Sequence, residues 1–147
     1  MSNSHIAVSL KLVHPDAVVP KYATEGSACF DLHTTTGGVI PARSSLVFGT
    51  GLSAEPAIGW QIKLHSRSGH GFKNGVRLAN CQGIIDNDFR SEIMVKLAND
   101  TDAPFEVKAG ERIAQGEIQP IYKAKFNLVT ALSETSRGAG GFGSTGT

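Results

Sequence analysis

Three short strings in the chain carry residue types able to act on a phosphate or a proton. Asp86-Asn87-Asp88 places two carboxylates two residues apart. Such a pair can supply a general base or help hold a cation, and it equally suits the solvated tip of a turn. Arg67-Ser68-Gly69 sets a cation, a hydroxyl donor and a residue without a side chain next to one another. Those are the donors an anion needs, in a run that also makes an ordinary turn. The terminal run RGAGGFGSTGT joins Arg137, Ser144 and Thr145 to successive glycines, Gly143 among them, whose amides can converge on an anion. Composition alone also describes a floppy Gly/Ser tail. Phe142 argues against that, because a lone aromatic in a linker has no reason to be there unless it stacks on something.

Other chemistries are excluded by spacing or context. Gly138, Gly140 and Gly143 imitate a dinucleotide fingerprint, as do Gly49, Gly51 and Ala54. The fingerprint needs a helix after its glycines, whereas the chain ends four residues after Gly143 and Pro56 follows Ala54 closely. The five histidines stand apart and no CxxC pair exists, so a structural zinc site is not expected. Cys29 and Cys81 read as small buried hydrophobes in a reducing cytosol.

These residues must be positioned by one core, since 147 residues amount to about one domain. Apolar residues make up 40% and charged residues 18%, which excludes a disordered chain. The formal net charge of +1 provides no broad basic field, so neither nucleic acid nor an anionic membrane is an expected partner. No apolar run is long enough to cross a bilayer, and Lys11 interrupts the N-terminal apolar stretch, so no signal peptide is read.

Ile6, Val8, Leu10 and Leu12 share one parity, and Trp60, Ile62 and Leu64 share another; both segments predict half-buried strands. Glycine and proline recur so often between Gly37 and Gly75 that helices of ordinary length have no room. An all-β sandwich or barrel follows. Residues 84–103 lack both breakers, and Ile85, Phe89, Ile93 and Leu97 recur at helical spacing. The all-β context favours a hairpin turning at Asp86–Asp88 instead. IYKAKFNLVTAL after Pro120 reads as a last strand, and residues 137–147 have almost nothing to bury.

Taken together, GSACFDLHT from Gly26, SRSGHG from Ser66, GIIDNDFRSE from Gly83, GERIAQ from Gly110 and RGAGGFGSTG from Arg137 resemble, in order, the five motifs of the trimeric dUTPases, the deoxyuridine triphosphate nucleotidohydrolases. The resemblance covers nearly the whole chain. It implies an all-β, jelly-roll-like antiparallel barrel over residues 1–136, a glycine-rich tail over 137–147, and a homotrimer with sites at its subunit interfaces. Extended, the tail could reach roughly 35 Å, onto a neighbouring subunit. The implied reaction is attack of water on the α-phosphorus of dUTP, giving dUMP and pyrophosphate in the cytoplasm.

The same resemblance implies roles for individual residues. Asp86 matches the carboxylate that activates the water and meets the deoxyribose 3′-hydroxyl. Asp31 matches the acid that helps hold Mg²⁺ through its water shell. Arg67, Ser68, Gly69 and Gln115 match phosphate-contacting positions. Asn80 and the backbone of Gly83, Ile84 and Ile85 should read the uracil edge, with Met94 lining that pocket. Phe89 replaces the usual tyrosine beneath the sugar, where a ring leaves no room for a 2′-hydroxyl. Phe142 should cover the uracil while Arg137, Gly143, Ser144 and Thr145 close on the β and γ phosphates. Ser66 and Ser91 depart from the proline and glycine common at their positions. The alternatives are a dCTP deaminase-like enzyme, which has no use for a water-activating Asp86, and a nucleotide-binding regulator of the same fold, which would act on partners through insertions this short chain lacks.

Overall fold

A computed structural model describes residues 5–142 and residue 144. The strands are β1 (Val8–Leu12), β2 (Phe30–His33), β3 (Gly38–Ile40), β4 (Ser45–Gly49), β5 (Leu52–Pro56) and β6 (Trp60–His65), followed by helix α1 (Ser68–Asn74). Then come β7 (Val76–Leu78), β8 (Gly83–Ile85), β9 (Met94–Asn99), β10 (Phe105–Val107) and β11 (Arg112–Pro120). Strands pair as β2-β11-β6-β8, as β4-β9-β7, and as the two-stranded ribbons β1-β5 and β10-β3. All these pairings are antiparallel. The fold is all-β, as the breaker spacing predicts, and jelly-roll-like, as the resemblance implies.

The strands form because side chains alternate between a core and solvent. In β6, Ile62 and Leu64 are buried while Gln61 and Lys63 are only half-buried; in β9, Val95 and Leu97 are buried while Met94 and Lys96 are exposed. These apolar residues meet Leu32 of β2, Phe48 of β4, Val76 and Leu78 of β7 and Ile113 of β11 in one cluster. Fully burying a side chain of this size contributes about 1.5–3 kcal/mol, so the cluster is the main force holding the sheets together.

Four expectations need correction. Residues 84–103 form no hairpin: β8 pairs with β6, while β9 lies between β4 and β7 in another sheet. A strand takes the neighbour that buries its apolar face, and Ile85 finds this opposite Ile62. The segment after Pro120 is no strand, since residues 121–129 have no ladder partner and Tyr122, Phe126 and Leu128 are almost fully exposed. Strand β1 forms, but Leu10 and Leu12 remain exposed. Of the two cysteines, Cys29 is partly buried and Cys81 exposed, so neither is a buried hydrophobe.

Helix α1 occupies only seven residues, in a stretch that reads from sequence as a turn. It stops at Gly75, whose φ of 61° is left-handed and whose missing Cβ would stand 2.7 Å from the Thr101 methyl.

Candidate functional site

The first cluster forms around Asp31. Strand β2 carries Asp31 directly opposite Gln115 of β11, and the Gln115 amide nitrogen lies 3.4 Å from Oδ1. Arg112, at the start of β11, donates from Nη1 to Oδ2 at 3.1 Å. Arg67, between β6 and α1, places Nε 3.4 Å from Oδ1. That Nε is buried and makes no well-aligned hydrogen bond, so the contact is an ion pair held by charge rather than by donor geometry. The Asp31 side chain is only 11% exposed and Arg67 21%, while Arg112 is 50% exposed. Two guanidinium charges against one carboxylate leave a positive surplus, suited to an anion such as a phosphate.

The approach of Arg67 is set by backbone. Arg67 is extended (φ −81°, ψ 132°) as the residue before α1, and no side chain caps the helix. Its Nη1 also donates to the Arg112 carbonyl at 3.2 Å. Ser66 explains its own departure from proline: its hydroxyl oxygen accepts the Leu78 amide at 2.9 Å, fastening the end of β6 to β7.

The second group of residues lines a cavity of about 530 Å³. Asn80, Gly83, Ile84, Ile85 and Met94 all border it, five residues that the sequence reading assigns to a base. Strand β8 forms one wall. Gly83 lies opposite Leu64 there, and a Cβ would come within 3.0 Å of that leucine. Asn80 sits in a turn in which Gln82 donates to the Asn80 carbonyl at 2.6 Å, with Cys81 in the left-handed region at φ 61°.

Asp86 follows β8 directly and is exposed. Its carbonyl accepts the Phe89 amide at 3.2 Å, which makes the turn that the Asp-Asn-Asp run predicts. Phe89 is 39% exposed. The rest of this loop is stapled to β5: Arg90 pairs with Glu55 and donates to the carbonyls of Asn87 and Phe89. Ser53 donates to the Arg90 carbonyl at 2.8 Å, and the Gly51 amide donates to Glu92 at 2.7 Å. Ser91 has no positive φ, so its replacement of a glycine strains nothing.

Among the described residues, the tail joins neither group within one chain. Arg137, Ser144 and Gly140 border a shallow hollow of their own, and Phe142 is fully exposed. Gly143 and Thr145 lie outside the described residues.

The sequence reading missed several contributors. Arg112 stands inside the GERIAQ string without a role, and only the fold brings it to a carboxylate 81 residues away. Val47 and Lys96 also border the cavity as cross-strand partners on β4 and β9, a juxtaposition with no signal in the sequence. Partial burial first, then the negative charges of Glu117 and Asp31, push the Cys29 thiol pKa up. Glu117 is held below the ordinary carboxylate range, chiefly by a hydrogen bond with Gln119 and then by His65.

Known proteins resemble this chain in sequence and in fold. A family model described as dUTPase matches residues 16–146. The deoxyuridine 5′-triphosphate nucleotidohydrolase of Helicobacter pylori strain J99 is 45% identical over 139 residues, covering 95% of this chain and 96% of its own. That of a Picosynechococcus species is 46% identical over 138 residues, covering 94% and 96%. Among solved structures, the dUTPase of Staphylococcus bacteriophage 80alpha with dUPNHPP superposes with a TM-score of 0.88 at 24% identity, covering 96% of this chain and 99% of the other. A phage phi11 dUTPase variant described with a structural Mg(II) ion superposes with a TM-score of 0.78 at 18% identity, covering 85% and 97%. At these identities the structures speak for the fold alone.

Proposed function

The chain belongs to the dUTPase family, and on that premise we propose that it hydrolyses dUTP to dUMP and pyrophosphate, lowering dUTP and supplying dUMP for thymidylate synthesis. One observation carries this reading. Asn80, Gly83, Ile84, Ile85 and Met94, the residues assigned to the base, line one cavity, and Arg67 and Gln115, assigned to the phosphates, meet Arg112 around Asp31 in one cationic cluster.

Asp86 is the general base in this reading. It accepts a proton from the water that attacks the α-phosphorus, and pyrophosphate leaves. Arg67, Ser68, Gly69 and Gln115 bind phosphate oxygens, drawing on the positive surplus around Asp31. Asn80 and the backbone of Gly83, Ile84 and Ile85 read the uracil edge, beside Met94. Backbone donors and acceptors have fixed polarity, so cytosine meets them with its donor and acceptor exchanged. Phe89 packs under the deoxyribose.

Mg²⁺ fits the residues present, as a cation borne by the substrate. Among the described residues no cluster of three or more His, Cys, Asp and Glu side chains could cage a metal. Asp31 is the single acid at the cluster, already paired with two arginines. That suits Mg²⁺ held by phosphates and waters, with Asp31 accepting from a water. When bound, Mg²⁺ supplies charge neutralisation on the triphosphate.

Residues 1–136 are read as the barrel and 137–147 as the tail that closes on the nucleotide, with Phe142 over the base and Arg137, Gly143, Ser144 and Thr145 on the outer phosphates. A homotrimer is the assembly supported by the end of the first segment, residues 121–136, whose Tyr122, Phe126, Leu128 and Leu132 are exposed in a single chain. No described helix is long and apolar enough to cross a membrane, and the free Cys29 and Cys81 accord with a reducing cytoplasm. The dCTP deaminase-like and regulatory readings are not favoured by the likenesses above.

The test is pyrophosphate release with Mg²⁺ across dUTP, UTP, dCTP and dTTP. Release from dUTP alone is expected. Ammonia from dCTP, or no pyrophosphate from any of the four, would overturn the reading.

A further inference from the structure

His70 stands beside the cationic cluster without touching Asp31. It is the one buried residue of α1 and only 6% exposed, packed edge-on against the Phe105 ring at 5.6 Å. Its Nε2 lies 2.9 Å from the Arg112 carbonyl, the same oxygen that accepts Arg67 Nη1 at 3.2 Å. A carbonyl only accepts, so Nε2 carries the hydrogen in this contact. Nδ1 is buried without a partner, which costs less as a lone pair than as a donor. Glu111 approaches Nε2 as well, at 3.6 Å, beyond hydrogen-bond range.

The position of this carbonyl matters. Strand β11 bulges between Arg112 and Ala114 against β2, a device that re-aims backbone and side chains near functional sites. At that bulge a single oxygen joins the backbone of Arg112 to the guanidinium of Arg67, the two cations facing Asp31. Arg67 lies immediately before α1, and no side chain caps the helix to hold its start. His70, one turn further on, is the only α1 side chain that bonds to β11 among the described residues.

We propose that His70 is a positioning residue for phosphate recognition. Its Nε2–H···O bond clamps the start of α1 to the β11 bulge, so that Arg67 presents its guanidinium to the phosphates at the right angle. The inference rests on the reading that Arg67, Ser68 and Gly69 bind phosphate. An apolar side chain of similar size fills the pocket beside Phe105 but leaves the carbonyl without this donor. Arg67 then has more rotamers available and loses affinity for phosphate alone.

The experiment compares His70→Leu with His70→Gln, whose amide N–H can replace Nε2–H. Affinities are measured for a nonhydrolysable dUTP analogue and for deoxyuridine. His70→Leu should weaken the triphosphate about tenfold, the scale of one buried hydrogen bond, and leave deoxyuridine within twofold. His70→Gln should recover most of the loss. Should the leucine variant fail to fold, His70→Asn takes its place, because its shorter side chain cannot reach the carbonyl. Wild-type affinity in the leucine or asparagine variant overturns the proposal. So does an equal loss for both ligands, or a glutamine variant as weak as leucine. The parent reading fails separately if the wild-type protein binds the triphosphate no better than deoxyuridine.

Discussion

Asp31 and Asp86 are the two carboxylates to which the proposed reaction assigns a role, yet they are built in opposite ways. Asp31 sits within a strand, 11% exposed, with Arg67, Arg112 and Gln115 around it. Asp86 sits on an exposed loop that is held at a distance, through Arg90, Ser53 and Glu92 to β5 and its approach. The difference suits the tasks proposed for them. A group that fixes cations must be neutralised and immobile, and burial within a sheet gives it both. A group that takes a proton from water must keep its lone pairs free, so its loop is stapled by neighbouring residues rather than by its own carboxylate.

The comparison breaks most visibly at Asp86. Asp86→Asn should lower kcat by about 10²–10⁴-fold, because the amide is a poor base. Binding of a nonhydrolysable dUTP analogue and the denaturation midpoint should stay close to wild type. Retained kcat in steady-state assays would mean that Asp86 is not the base.

Asp31→Asn should behave in the opposite manner. Removing this charge leaves Arg67 and Arg112 facing each other without their anion, at a cost of about 1–3 kcal/mol in stability. Half-exposed Arg112 keeps the loss toward the lower end. Equilibrium denaturation in urea should therefore shift for Asp31→Asn and not for Asp86→Asn. Equal shifts would remove the distinction between the two carboxylates.

Phe89 sharpens the contrast on the loop side. A 2′-hydroxyl pressed on its ring without a partner costs about 1–3 kcal/mol. Phe89→Ala should thus reduce the ratio of kcat/KM for dUTP over UTP about ten- to a hundredfold. An unchanged ratio would assign sugar discrimination to another residue.

The smallest effect concerns the cysteines. Partial burial, then Glu117 and Asp31, raise the Cys29 thiol pKa, so less thiolate is present at any given pH. Mass spectrometry after iodoacetamide at pH 8 should find exposed Cys81 alkylated first, and Cys29 catching up only as the pH rises. Equal rates at pH 8 would show that the carboxylate-bearing face shields Cys29 no more than solvent does.

Much of this site could be read from the linear chain. Alternation in Ile62 and Leu64 located β6, the spacing of glycine and proline excluded long helices, and Asp86–Asp88 marked a turn that the structure contains. These features are local, since a period of two or a run of turn formers expresses the preferences of neighbouring residues. The partners of β8 and β9 were not legible, because a strand with an apolar face suits any sheet edge that can bury it. Nor did the segment after Pro120 become a strand, since alternation without a ladder partner leaves its backbone groups to solvent.

Residue types alone therefore determined which chemistry was available: an exposed carboxylate on a turn, a cation beside a hydroxyl and glycine, a glycine-rich tail. Only the tertiary structure decided that Asp31 is a caged acid rather than a free one. Its three partners lie 36, 81 and 84 residues along the chain, and a contact across such separations is set by the register of β11 on β2 and β6, which the burial of the whole core selects.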